Sequence, residues 1–234
     1  EMIDMVTTPD GSLVAMVHCN NCTSDLNGWV GLFREYQELL GVPVDMNVVF
    51  GKLFGAADKG EPDCGGLMSF NYISGEPVTG FADGRPLFVR SASDKFNLSN
   101  FMRSILYATV AVLKFGNDIL LKEEHVKVDR ITGHGGLFKV KGVGQRVLAA
   151  ALDSPISVME TAGEGGAWGI ALLASYMVNK GDLTLADYLD YKVFAGATGE
   201  EVTPSPADVE GFNKYLETYK TCLGIEKAAV ELKK

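Results

Sequence analysis

Residues 157–177 read "SVMETAGEGGAWGIALLASYM". A short apolar strand runs into a glycine-rich loop, and the loop opens an apolar helix. Gly163, Gly165 and Gly169 give a GxGxxxG spacing, which invites a dinucleotide reading. That reading also needs an acidic residue about 20 positions on, at the end of a second strand, to bind ribose. The following stretch "NKGDLTLADYLDYKVF" (179–194) reads as helix instead. The fingerprint also normally opens its domain, and here it sits near the end. Two uses remain for the loop. It is a shelf of small residues on which a flat ligand lies, or Gly166, Ala167, Gly169 and Ala171 pack tightly against a sheet.

The same pattern precedes it. "VKVDRIT" (126–132) reads as a strand, "GHGG" (133–136) as a loop, "VGQRVLAAALD" (143–153) as a helix and "ISVME" (156–160) as the next strand. Strand, glycine loop and helix thus occur twice in succession, which is α/β patterning with a largely buried sheet. Further upstream, two β-rich runs flank Pro9-Asp10-Gly11, a hairpin signal. Leu26, Trp29, Val30, Phe33, Tyr36, Gln37 and Leu40 keep helical spacing, and Gly41 sits where a C-cap glycine belongs. Residues 43–66 are acidic and Gly-rich with weak pattern, and 66–90 read as short strands and turns. "FNLSNFMRSILYATVAVLKFG" (96–116) is a core helix. "TPSPADVEGFNKYLETYKTCL" (203–223) closes the chain as a helix, with Ser205 as N-cap, Pro206 at N1 and Asp208 at N3. With no linker or repeat, one domain over 1–234 is expected.

The formal net charge of −9 argues against a nucleic-acid surface, whose affinity comes from clustered Lys and Arg. No uninterrupted apolar run reaches the roughly 18–20 residues of a membrane span. Four irregularly spaced cysteines, with no signal peptide, fit a reducing cytoplasm. The chain begins at Glu1 directly in strand pattern, so a piece of a longer chain or a mature product is expected.

Three clusters carry candidate chemistry. His18, Cys19 and Cys22 are too few for a structural metal site, which needs about four N/S ligands, and no thioredoxin-like pattern surrounds them. Asn20, Asn21 and Asp25 stand where a strand turns into a helix; they line a ligand crevice or cap the helix. Gly135 and Gly136, with Lys139 and Lys141 nearby, form either an anion-binding loop of exposed N–H groups or a plain turn. GxxxxGK[ST], G-x-S-x-G and HExxH are absent from the sequence.

Taken in order, three blocks resemble the C-terminal domain of the FGGY carbohydrate kinases, the family of xylulokinase, ribulokinase and glycerol kinase. They are "NYISGEPVTGFADGRPLFVRSASDKFNLSNFMRSILYATVAVLK" (71–114), "ITGHGGLFKVKGVGQRVLAAALDSPISV" (131–158) and "ETAGEGGAWGIALLAS" (160–175). The last is similar to the family's adenosine motif. The sequence departs from the family pattern at Pro77, where an Arg is usual, at "LYATVAVL" in place of "LEG", and in lacking the opening Gly-Thr-Ser phosphate motif.

The resemblance implies an α/β, actin-like ATPase (ribonuclease H-like) domain, a mixed sheet flanked by helices. It implies ATP-dependent phosphorylation of a pentulose-like sugar hydroxyl, in the cytoplasm, with this chain as the ATP-binding half. Gly135, Gly136 and Lys139 would meet the phosphates. Gly163, Gly165, Gly166 and Ala167 would form the adenosine shelf, and Glu164 would reach the ribose or stay solvated. Asn20, Asn21 and Asp25 would face the sugar end of the cleft. The catalytic base and the acids that hold Mg²⁺ would belong to an N-terminal domain of the same protein, with a homodimer as a possible assembly; no metal ligand is assigned to this chain.

Overall fold

Asn97 starts the helix on which everything else is laid. Its side chain accepts from the Asn100 N–H at 2.9 Å, satisfying one of the donors left open at a helix start. The helix, α3 (Leu98–Asp118), continues through one π turn, Ile119–Glu123. The computed structural model describes residues 3–160 and 165–232. Within it, Met102, Ile105, Leu106, Tyr107 and Ala111 of α3 are almost wholly buried. Residues 100–112 of α3 are buried on every side of the helix, which places it inside the domain.

Before it stand the hairpin β1 (Asp4–Thr7) and β2 (Leu13–Met16), then α1 (Ser24–Leu39), α2 (Met46–Ala57) and β3 (Met68–Phe70), and after a loop β4 (Leu87–Val89). After it come β5 (Ile131–Thr132), α4 (Val143–Leu152), β6 (Ile156–Met159), α5 (Gly165–Asn179), α6 (Leu185–Tyr188), β7 (Gly199–Val202) and α7 (Pro206–Glu231). α2, α4, α7 and β3 pack on α3 or on one another around it.

The expected single mixed sheet is split among the described residues into three small ones: β1–β2, β3–β4 and β5–β6–β7. Only the last is mixed, with β5 parallel and β7 antiparallel to β6. The strands are two to four residues long, too short to carry a ladder across the whole domain. The β5–α4–β6 crossover is the unit legible in the sequence, since parallel strands need such a connection.

Other expectations shift at their edges. The Pro9-Asp10-Gly11 hairpin forms, with Thr7 opposite Leu13 and Gly11 at φ 91°, a conformation that favours glycine. The strand read over 126–132 shrinks to Ile131–Thr132. The helix read over 179–194 is α6 followed by a π turn at Leu189–Val193. α2 and β7 form where the sequence reading expects weak pattern and no strand. Ser205 makes no side-chain cap bond, and Asp208 is taken up by Arg103 instead, at 2.7 Å. Leu98–Glu123 is long and apolar enough by composition to cross a membrane. Arg103, Lys114 and Asp118 hide that run in the sequence, and most of it is buried in the domain core.

α7 closes the core with Phe212, Tyr215, Leu216 and Tyr219. Its Gly211 lies against the backbone of Pro62, so close that a Cβ would overlap the Pro62 carbonyl. Gly211→Ala is expected to lower unfolding free energy by about 1–3 kcal/mol, the usual cost of overpacking against an element that cannot yield. Urea titration measures it, and an unchanged midpoint would refute the close approach.

Candidate functional site

The turn Asn20–Thr23 carries the chain from the hairpin into α1. Thr23, at the helix N-cap, forms no side-chain cap bond. Asn21 does the fixing. It is 2% exposed; its Nδ2 donates to the Ser74 carbonyl at 3.1 Å and to Glu76 Oε2 at 3.2 Å. Its Oδ1 accepts from Ser74 N at 2.9 Å and Ser74 Oγ at 3.1 Å. Its side-chain bonding capacity is thus spent within the chain. Asn20 donates through Nδ2 to the Gly75 carbonyl at 2.8 Å and through its backbone N–H to Glu76 at 3.1 Å. Asp25 accepts from Trp29 Nε1 at 3.0 Å; burial pushes its carboxyl up, partly offset by that bond. The thiols beside them are free. Burial pushes Cys19 up to about 12, which leaves it protonated and unreactive at neutral pH. Among the described residues no group of three or more His, Cys, Asp or Glu is placed to hold a metal ion.

The second glycine loop follows β5. Gly133 donates to the Ser157 carbonyl at 2.8 Å, and Gly135 has φ 104°, where a side chain would be strained. Gly136 then opens a 3₁₀ turn, Gly136–Lys139, ahead of α4. A Cβ on Gly136 would meet nothing within 4 Å.

That open face borders a cavity of about 320 Å³. Thr23, just before α1, with Leu26 and Asn27 of α1 forms one wall, Asn47, Phe50 and Phe54 of α2 another, and Gly136, Leu137 and Lys139 the third. A pocket that is mainly apolar, with a few converging polar groups and a lysine, is built as small-molecule sites are. Gly136 and Lys139 were read from the sequence. Thr23, Leu26, Asn27 and the α2 wall were not. Their signal was present: Asp45 caps α2 by accepting from Asn47 N at 2.8 Å, and Val49, Leu53, Phe54 and Ala57 are spaced as one buried face.

Lys139 also borders a second cavity, of about 350 Å³, with Lys141, Met159 and Glu160 on its walls. Lys141 is paired there with Glu200 at 2.6 Å. Gly163 and Glu164 lie outside the described residues. Gly165, Gly166 and Ala167 start α5 and border neither cavity. A Cβ on Gly166 or Gly169 would meet nothing within 4 Å, so these glycines do not serve tight packing here. Asn20, Asn21 and Asp25 adjoin the first cavity through the chain, without lining it.

Comparison with solved structures places this architecture. The chain resembles the xylulose kinase of Rhodospirillum rubrum with a TM-score of 0.64 at 20% identity, over 96% of this chain and 43% of that one. It resembles the Plasmodium falciparum glycerol kinase solved with ADP with a TM-score of 0.63 at 15% identity, over 93% and 40%. A ligand-bound xylulose kinase of Lactobacillus acidophilus gives 0.57 at 19%, over 73% and 34%. The chain therefore spans less than half the length of these kinases, and at such identities they establish its fold. No curated protein matches its sequence. The family model described as "FGGY family of carbohydrate kinases, C-terminal domain" matches residues 1–178. That is most of the chain, and it covers the hairpin, the α1 turn, both glycine loops and α3: the chain belongs to the FGGY family of carbohydrate kinases, by their C-terminal domain.

Proposed function

We propose that this chain is the nucleotide-binding half of an ATP-dependent carbohydrate kinase with an actin-like ATPase fold. The intact enzyme would move the γ-phosphoryl of ATP onto a hydroxyl of a pentulose-like sugar, releasing ADP. The observation that carries the reading is the 320 Å³ cavity, which joins the open Gly136 backbone and Lys139 to the start of α1.

Phosphoryl transfer asks the protein for positioning and charge stabilisation more than for covalent help. Backbone N–H groups at Gly135 and Gly136 suit phosphate oxygens, and Lys139 adds a positive charge. Leu26, Phe50 and Phe54 offer an apolar seat for a base, and Thr23 and Asn27 offer hydroxyl and amide groups for orientation. The residues present fit a nucleotide. Among the described residues there is no cluster of His, Cys, Asp or Glu for Mg²⁺; the ion would supply charge neutralisation at the phosphates, and its ligands are proposed to come from the rest of the enzyme. So are the base that takes the hydroxyl proton and most of the sugar contacts. The four free cysteines are consistent with a reducing compartment such as the cytoplasm.

The test is calorimetric titration of ADP into the 234-residue chain, beside Gly136→Trp and Gly166→Trp. Neither glycine has a positive φ or a neighbour within 4 Å of its would-be Cβ, so neither substitution meets backbone strain or a Cβ overlap, and circular dichroism verifies that each variant is folded before it is titrated. Gly136→Trp fills the cavity, and a loss of about 100-fold in affinity, or about 2.7 kcal/mol, is expected. Gly166→Trp reads whether the start of α5 serves as the adenosine shelf. Equal affinity in wild type and Gly136→Trp would remove the nucleotide from this cavity.

A further inference from the structure

We propose that Glu76 is the positioning residue that sets the start of α1, and through it the Thr23–Asn27 wall of the cavity. The inference rests on the nucleotide reading for its consequence, and on geometry for its substance.

α1 does not hold its own N-terminus, because Thr23 caps nothing. Its position comes from the loop beyond β3. Glu76 is 1% exposed, and its carboxylate accepts from Asn20 N at 3.1 Å and from Asn21 Nδ2 at 3.2 Å. Asn71 adds a bond to the Cys22 carbonyl at 2.8 Å, and Cys22 is held at φ 26°, a conformation rare for a non-glycine residue. The Asn21 carbonyl in turn accepts from Ser24 N at 3.0 Å, the first residue of α1. Glu76 itself is clamped by paired backbone bonds with Phe81, at 2.7 and 3.1 Å.

A carboxylate is the side chain this arrangement calls for. Two donors converge on its Oε2, and Asn20 N also lies 3.4 Å from Oε1; a carboxylate offers both oxygens as charged acceptors and carries no proton of its own. Glutamine keeps one neutral acceptor oxygen for the two donors, loses the charge that strengthens both bonds, and puts an N–H₂ where Oε1 faces the Asn20 N–H. The carboxylate is also costly. Burial pushes Glu76 above the usual carboxylate range, opposed by the Asn21 and Asn20 donors and by His18. A raised folded pKa means that folding favours the neutral form, so charge on Glu76 subtracts from stability at neutral pH. A residue kept for stability alone would be replaced without loss; this one holds a geometry.

The groups facing it are His18, Cys19 and Cys22 from the turn after β2, Tyr72 from the loop after β3, and Tyr219 from α7. A His18→Asn background removes the imidazole, so that a remaining titration step belongs to Glu76.

The experiment combines ADP titration at several pH values with amide hydrogen exchange of residues 20–27, in wild type, Glu76→Gln, Asn21→Ala and the double variant. Each single variant is expected to weaken ADP by about tenfold, and the double variant by little more, because both cut one network. Exchange over 20–27 accelerates in the variants, while the midpoint of global unfolding at neutral pH for Glu76→Gln stays put or rises. Wild-type affinity falls as pH drops through a step above the usual carboxylate range, and Glu76→Gln lacks that step. Wild-type affinity and pH profile retained in a folded Glu76→Gln would overturn the proposal, and so would unchanged exchange over 20–27. Wild type that binds no ADP overturns the nucleotide reading instead; the exchange measurement then still decides whether Glu76 holds the turn.

Discussion

Phe212→Ala is expected to destabilise the chain by about 3–5 kcal/mol, the range for removing a fully buried aromatic ring. Phe212 is 0% exposed. Its ring meets Tyr107 of α3 edge-on at 4.8 Å between centroids and Tyr215 at 6.1 Å. From there aromatic contacts continue through Tyr219, 6.1 Å from Tyr215, to Phe70 of β3, 4.6 Å from Tyr219. Deleting the ring leaves a void that α7 cannot close, because Gly211 already rests on Pro62. For a domain of this size the loss corresponds to a fall of roughly 10 °C in Tm. Calorimetry and guanidinium unfolding measure it. A cost below about 1 kcal/mol would mean that α7 is an appendage, and that the residues beyond the FGGY match at 178 are dispensable.

Arg103→Ala is expected to cost about 3 kcal/mol, near the lower end for breaking a buried ion pair. Arg103 Nε donates to the Ala57 carbonyl at 3.0 Å, Nη2 to the Asp58 carbonyl at 3.2 Å and Nη1 to Asp208 at 2.7 Å. It thereby joins the C-terminal end of α2, the second turn of α3 and the first turn of α7. Truncation strands the Asp58 carbonyl and the Asp208 carboxylate, while the Ala57 carbonyl keeps the Gly60 N–H at 3.0 Å. The lower figure applies because the Asp208 side chain is 25% exposed and regains some water. Arg103→Met separates packing from charge, since it keeps the aliphatic stem; it should recover part of the loss. By contrast, breaking the exposed Lys141–Glu200 pair is expected to change stability by at most about 1 kcal/mol. Urea midpoints of the three variants rank them, and an Arg103→Ala midpoint equal to wild type would remove the clasp.

The parts of this fold legible in the sequence are those where one rule acts alone. α3 and α1 announce themselves by apolar spacing, the hairpin by Pro9-Asp10-Gly11, and the β5–α4–β6 unit by two glycine loops in succession. α2 was missed because Gly51, Gly55 and Gly60 and the acids around it resemble a loop. Packing against α3 overrides their low helix propensity. The cavity suffers the same fate: its glycine wall is a local motif, whereas its α2 wall exists only once α2 does. Asn21 and Asp25 stand at the strand-to-helix turn that the sequence indicates, and neither lines the cavity. Asp25 bonds locally, to Trp29 four residues on, but what the Asn21 side chain bonds to is set by Ser74 and Glu76, some 53–55 residues away, and no local pattern encodes that.

The clasp between Arg103 and Asp208 joins residues 105 apart in the chain. A ribosome adding about 5–20 residues per second therefore makes α3 roughly 5–20 s before α7 exists to cover it. For that interval the nascent polypeptide presents a helix whose apolar length matches a membrane span. Its commitment to the folded state waits for α7, and holdase chaperones that recognise apolar segments gain a long window in which to bind it.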